Sequence, residues 1–158
     1  MYLRRYEEAL SCLDRALKTT KKEAEIWNLR GLCLSFLKGY AEAINSLKMA
    51  RALDKENKEE PLYLANQGII LARAGRYKEA FALCEQALNL KDNEASHYAK
   101  ACCYALQGDA DLAIESLRRA IEYAPHRCRL EAKYNPDFDW LRDNQQFQAL
   151  LDTNEKKT

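Results

Sequence analysis

The chain has 158 residues, 47% hydrophobic and 31% charged, a balance that suits one soluble domain or one short repeat array. Its 25 basic and 24 acidic residues leave a formal charge of +1, so no long-range field draws it to nucleic acid or to an anionic membrane surface. No apolar run approaches the ~18–20 residues of a membrane span, no signal-peptide core follows Met1-Tyr2-Leu3-Arg4-Arg5, and five Gly with three Pro are too few for a many-stranded sheet.

The first predicted helix lies in residues 1–18 and carries Tyr6-Glu7-Glu8-Ala9-Leu10. That segment recurs as Tyr40-Ala41-Glu42-Ala43-Ile44, as Tyr77-Lys78-Glu79-Ala80-Phe81, and in worn form as Ala110-Asp111-Leu112-Ala113-Ile114. Its alanines are spaced by 34, 37 and 33 residues. Four residues after each comes Leu13, Leu47, Cys84 or Leu117, and three further on comes Ala16, Ala50, Ala87 or Ala120. An apolar stripe at i, i+4, i+7 is one face of an amphipathic helix. A second helix precedes each of the last three stripes, through Trp27…Gly31…Leu34, Leu64…Gly68…Leu71 and His97…Ala101…Tyr104. Gly39, Gly75 and Gly108 mark the junctions, where glycine takes positive φ at little cost. The unit is helix, tight turn, helix, with small residues where the two helices cross.

These residues resemble the tetratricopeptide repeat family, whose unit of about 34 residues reads W-x2-L-G-x2-Y…A-x3-F…A…P. Trp27 and Gly31 match its start; Gly68, Tyr77, Ala80 and Ala87 match in the third copy, and Gly108, Ala113, Ala120 and Pro125 in the fourth. Arg30 and Gln67 depart from the usual Leu, Ala110 replaces the tyrosine, and the step at residues 55–60 is longer than standard. The resemblance implies an all-α, right-handed superhelical solenoid of antiparallel helix pairs, with about 3.5 repeats and C-terminal capping helices. One domain is expected over residues 1–151: a half repeat at 1–23, repeats at 24–60, 61–93 and 94–125, and capping helices at 126–151. Residues 152–158 are polar and expected to be disordered.

The half repeat suggests a face left partly unpacked, formed by Tyr2, Tyr6, Leu10 and Leu13. Three explanations stay open: a chain cut from a longer protein, a homo-oligomer face, or a tolerated frayed end. At the other end, Asn135-Pro136 signals a helix start, and Phe138, Leu141, Phe147, Leu150 and Leu151 supply apolar anchors. The stretch from Asp137 to Leu151 also resembles the tail of bacterial members of the family, which suggests a bacterial source.

Little in the chain points to chemistry. The six cysteines lack C-x-x-C or zinc spacing and read as reduced thiols in helices, which suits the cytoplasm. His97 occupies the slot of Trp27 and Leu64, a packing position, and no phosphate-binding or nucleophile motif occurs. No catalysis, cofactor or metal is expected. The basic positions from Arg118 to Lys133 are diluted by Glu122 and Glu131 and carry no interleaved stacking aromatics, so nucleic acid is not an expected partner.

In the family, first helices line a concave groove that receives a peptide or helix. Here the implied lining is Asn28, Leu32, Ser35 and Phe36, then Ala65, Asn66, Ile69 and Arg73, then Tyr98, Cys102 and Ala105. These rows are apolar and hold no Lys, which disfavours a clamp for C-terminal carboxylates. The expected function is a scaffold or adaptor that binds a protein segment. The alternatives are self-assembly through the N-terminal half repeat, or service as part of a larger multidomain protein.

Overall fold

The computed structural model describes residues 2–152, with side chains from Arg4 onward. The expected tail, from Thr153 on, falls outside the described residues. The α-helices are α1 (Tyr2–Thr19), α2 (Ala24–Phe36), α3 (Tyr40–Leu53), α4 (Glu60–Arg73), α5 (Tyr77–Leu90), α6 (Glu94–Gln107), α7 (Ala110–Tyr123), α8 (Pro125–Tyr134) and α9 (Gln145–Leu151). A 3-10 turn over Pro136–Leu141 joins the last two, and no strand occurs among the described residues. α2 packs on α3, α4 on α5 and α6 on α7, and α4 also lies against α6. The chain is an all-α solenoid of helix pairs.

The stripe residues explain the pairing. Ala43, Ala80 and Ala113 are buried, as are Leu47, Cys84 and Leu117 one turn on and Ala50, Ala87 and Ala120 beyond them. The facing glycines sit at the closest approach. A Cβ on Gly68 would lie 2.8 Å from Cys84 Sγ and 3.1 Å from the Ala80 carbonyl; on Gly31 it would lie 3.0 Å from the Ala43 carbonyl. Each repeat thus places its small residue over the carbonyl of the recurrent alanine.

The turns show one departure from the expected pattern. Gly75 and Gly108 take left-handed φ of 78° and 92°. At the first junction that conformation belongs to Lys38, at φ 64°, while Gly39 sits at φ −80° and opens α3. The bonds are equivalent: Gly39 N–H donates to the Leu34 carbonyl as Arg76 N–H does to Leu71 and Asp109 N–H to Tyr104. Lys38 is therefore the counterpart of Gly75 and carries the backbone strain that glycine avoids.

Burial is heaviest in α4. Ten of the fourteen residues of α4 are buried, against four of thirteen in α2. Caps concentrate in the C-terminal part: side chains of Asn93, Asp109 and Asn144 accept backbone N–H bonds at the starts of α6, α7 and α9, whereas α2 to α5 and α8 start without one. Polar bridges hold the N-terminal part instead. Arg30, at the position usually given to Leu, donates to Asp14 Oδ1 at 2.7 Å and Ser46 Oγ at 2.8 Å, linking α1, α2 and α3.

Tyr6, Leu10 and Leu13 are half-buried rather than open. The Tyr6 ring stacks on Phe36 of α2 at 4.2 Å, and Leu10 packs on the cluster of Leu34, Ala43, Leu47 and Ile70. The outer face of α1 is polar, with Arg4, Arg5, Glu7, Glu8, Ser11 and Arg15 exposed. The side chain of Tyr2 lies outside the described set. At the far end, Phe138, Leu141 and Phe147 enter the main core, and Tyr98 meets Phe138 edge-on at 5.9 Å.

Candidate peptide-binding groove

The first helices α2, α4 and α6 present one face to a concave surface, and α8 adds a further wall. An inner cavity of about 320 Å³ is lined by Leu32 and Phe36 from α2, Asn66, Ile69 and Arg73 from α4, Tyr98 from α6, and Glu131 and Tyr134 from α8. A middle cavity of about 200 Å³ shares Leu32, Asn66, Ile69, Tyr98 and Glu131 with it. An outer cavity of about 610 Å³ shares Asn28 and Leu62 with the middle one. The three form one trough. Across its floor Asn66 Nδ2 donates to Asn28 Oδ1 at 2.8 Å, a single bond between two buried amides.

The inner end is closed by the chain's own C-terminal cap. Arg73 Nη2 donates to Asp137 Oδ2 at 2.7 Å and Nε to both carboxylate oxygens at 3.1 Å. The two side chains are only 7% and 5% exposed, so this is a desolvated ion pair. The same guanidinium donates to Ser35 Oγ and stacks on Phe36 at 3.6 Å, which extends the column begun by Tyr6. Asn135 fixes the approach of the cap: its Oδ1 accepts from Asp137 N, and its Nδ2 donates to the Tyr98 hydroxyl at 3.1 Å. Trp140 Nε1 donates to the Ala105 carbonyl at 2.8 Å.

Burial sets the proton affinities along this face. Loss of water pushes the Tyr98 hydroxyl and the Cys102 thiol well above their ordinary values. It also raises the Glu131 carboxyl, against the opposing pull of Arg127. Cys128 is pushed up to about 11, again by burial, so none of these thiols is an activated nucleophile. Cys12, Cys33, Cys84, Cys102, Cys103 and Cys128 are all free.

Of the residues expected to line the groove, Asn28, Leu32, Phe36, Asn66, Ile69, Arg73 and Tyr98 border the trough. Ala65, Cys102 and Ala105 are at most 1% exposed and Ser35 is 2% exposed; these four sit beneath the surface, and a ligand in the trough would not touch their side chains. Ser35 and Ala105 lie where the cap closes the inner end, Ser35 accepting from Arg73 and the Ala105 carbonyl from Trp140. Leu62, Glu131 and Tyr134 also border the trough and do not follow from the repeat rows. Counting α8 as one more first helix, in phase with α6, would have found Glu131 and Asn135, which both border the inner cavity.

Other candidate chemistry disperses. His97 Nε2 lies 2.6 Å from Asp92 Oδ1, and its ring stacks on Tyr123. That bond, with one from Tyr123, holds the Asp92 carboxyl below its ordinary value. Arg118, Arg119 and Arg127 pair with Glu115, Glu122 and Glu94, and Arg129 donates to the Leu150 carbonyl. Among the described residues no group of three or more His, Cys, Asp or Glu is placed to hold a metal, and no helix is long and apolar enough to cross a membrane.

Tetratricopeptide repeat models match residues 1–50 and 37–95, and a second such model matches residues 95–127. The chain belongs to the tetratricopeptide repeat family. Human DnaJ homolog subfamily C member 7 is 30% identical over 103 residues, 65% of this chain and 20% of that protein. The chain therefore spans about a fifth of the length of that relative. Among solved structures, MamA 41-end from Desulfovibrio magneticus RS-1 has a TM-score of 0.50 at 20% identity, covering 94% of this chain and 86% of that one. YrrB, described as a tetratricopeptide repeat protein with an unusual peptide-binding site, has a TM-score of 0.47 at 20% identity, covering 94% and 76%. The MamA likeness is one of fold.

Proposed function

We propose that the chain is a non-catalytic adaptor whose trough holds an extended or helical segment of another protein. The observation that carries this reading is the continuity of the three cavities along α2, α4 and α6, floored by Leu32 and Ile69. A trough with apolar floor and a few fixed amides supplies area for affinity and polar points for register. Asn28 and Asn66, joined by one hydrogen bond, both line the middle cavity and supply amides that a segment in it can meet. No Lys lines the inner or middle cavity, and their arginines, Arg73 and Arg127, are already paired with Asp137 and Glu94, which disfavours a clamp for a C-terminal carboxylate.

Selection of peptides from a random display library on the folded protein tests the reading. Selected peptides should lose at least about tenfold in affinity to Ile69→Arg, which places a charge on the apolar floor. They should keep their affinity for Leu112→Arg, an exposed position on α7 away from the trough. Peptides that bind both variants equally well would show that the concave face is not the site.

A further inference from the structure

We propose that the segment held by the trough is basic and amphipathic, with its apolar side chains on Leu32 and Ile69 and its lysines or arginines at the outer end. This rests on the groove reading above and adds the charge of the partner. The outer cavity is bordered by four carboxylates, Glu23, Glu25, Asp54 and Glu59, and by two cations, Lys22 and Lys58. Lys58 is already paired with Glu56. None of the four carboxylates is in an ion pair among the described residues; Asp54 instead accepts the Glu59 N–H at 2.8 Å. In the middle of the trough Glu94 is taken by Arg127, while Glu131 stands 3.7 Å from the same arginine.

Of the cations bordering the trough, only Lys22 is in no ion pair among the described residues. Arg73 at the inner end is neutralised by Asp137. An approaching segment therefore meets a mainly apolar surface inside, bordered by Glu131, and four carboxylates against one unpaired lysine outside. With a formal charge of only +1 on the whole chain, this negative end is a local arrangement rather than a property of the composition. The field has an internal witness. Tyr63 borders the outer cavity, and after burial the causes that raise its hydroxyl are the carboxylates of Asp54, Glu59, Glu60 and Glu25. The longer step between α3 and α4 builds this end, since it supplies Lys58 and Glu59 and carries the chain past Asp54. Charge complementarity of this kind selects partners and registers them more than it adds raw affinity.

The test uses three fluorescein-labelled peptides of equal length, with leucines at helical i, i+3, i+4, i+7 spacing and all polar positions Lys, Glu or Gln. Fluorescence anisotropy should rank Lys over Gln over Glu, with about tenfold between the first and last at low salt. The exposed double substitution Glu25→Lys with Glu59→Lys should reverse that order. Ile69→Arg should abolish binding of all three; Leu32→Arg, at a half-buried site, serves if the first variant loses its helical circular dichroism. Equal binding of the three peptides, or a preference for Glu, with sensitivity to Ile69→Arg retained, overturns the basic partner and leaves the groove intact. Binding indifferent to both floor variants overturns the groove reading and this inference with it.

Discussion

The two halves of the solenoid are built from the same repeat and hold together differently. From α4 onward the helices share one apolar core that runs from Leu64 to Phe147, and three of the four helices after α5 start on an asparagine or aspartate cap. From α1 to α3 the buried cluster shrinks to Leu34, Ala43 and Leu47 with Ile70, and Arg30 makes polar links to Asp14 and Ser46 across it. One repeat pattern thus supports two kinds of cohesion. The difference matters for the trough, whose floor is set by the well-packed α4 and whose outer rim is carried by the thinly packed α2 and the step after α3.

The sharpest way to break the well-packed half is to remove its polar hub. Asp137→Ala leaves the Arg73 guanidinium buried without its counter-charge, and urea denaturation should show a loss of about 3–5 kcal/mol. Replacing both partners by apolar residues, Arg73→Met with Asp137→Leu, should recover most of that loss, because the penalty lies in the orphaned charge. Next in size is the helix crossing. Gly68→Ala should cost about 1–3 kcal/mol, since the new Cβ would come within 2.8 Å of Cys84 Sγ. Gly31→Ala should cost less, because its nearest atom, the Ala43 carbonyl oxygen, stands at 3.0 Å and no side chain comes closer than 3.3 Å. Equal costs in thermal denaturation would mean that the two crossings are packed alike.

Smaller effects sharpen the contrast in the N-terminal half. Lys38→Gly should stabilise the protein by about 1 kcal/mol by releasing a left-handed lysine, read as a raised thermal midpoint. The matching change at the second turn, Gly75→Lys, should destabilise. Asp14→Ala removes one arm of the Arg30 bridge. Asp14 is 45% exposed, so solvent screening limits the loss to less than about 1 kcal/mol, seen most clearly as faster amide exchange in α1.

Much of the fold was legible in the residues. The recurrence of Ala9, Ala43, Ala80 and Ala113 with an apolar residue four later and an alanine seven later fixes a helix face, and the glycines before it fix a crossing. The first turn was legible too, though glycine spelling misleads there. Counting back from Tyr40, Tyr77 and Ala110 puts Lys38, not Gly39, opposite Gly75 and Gly108. The trough was legible in part. Repeat phase finds Leu32, Ile69 and Tyr98, because they occupy one position on successive first helices. It cannot say that Cys102 and Ala105 lie under the cap, because that depends on where the chain after Pro125 comes to rest.

Periodicity and small residues therefore determined the all-α repeat, the helix pairing and the general position of a concave face, since each follows from which side of one helix is apolar. Tertiary structure alone decided which part of that face stays open. The pairing of Arg73 with Asp137 joins residues 64 positions apart. The carboxylates of Glu25 and Glu59, from separate segments, border one cavity only when α2 and α4 stand side by side. Such long-range meetings have no local signature, because the energy that holds a desolvated charge or aligns a row of like charges exists only after the helices have packed.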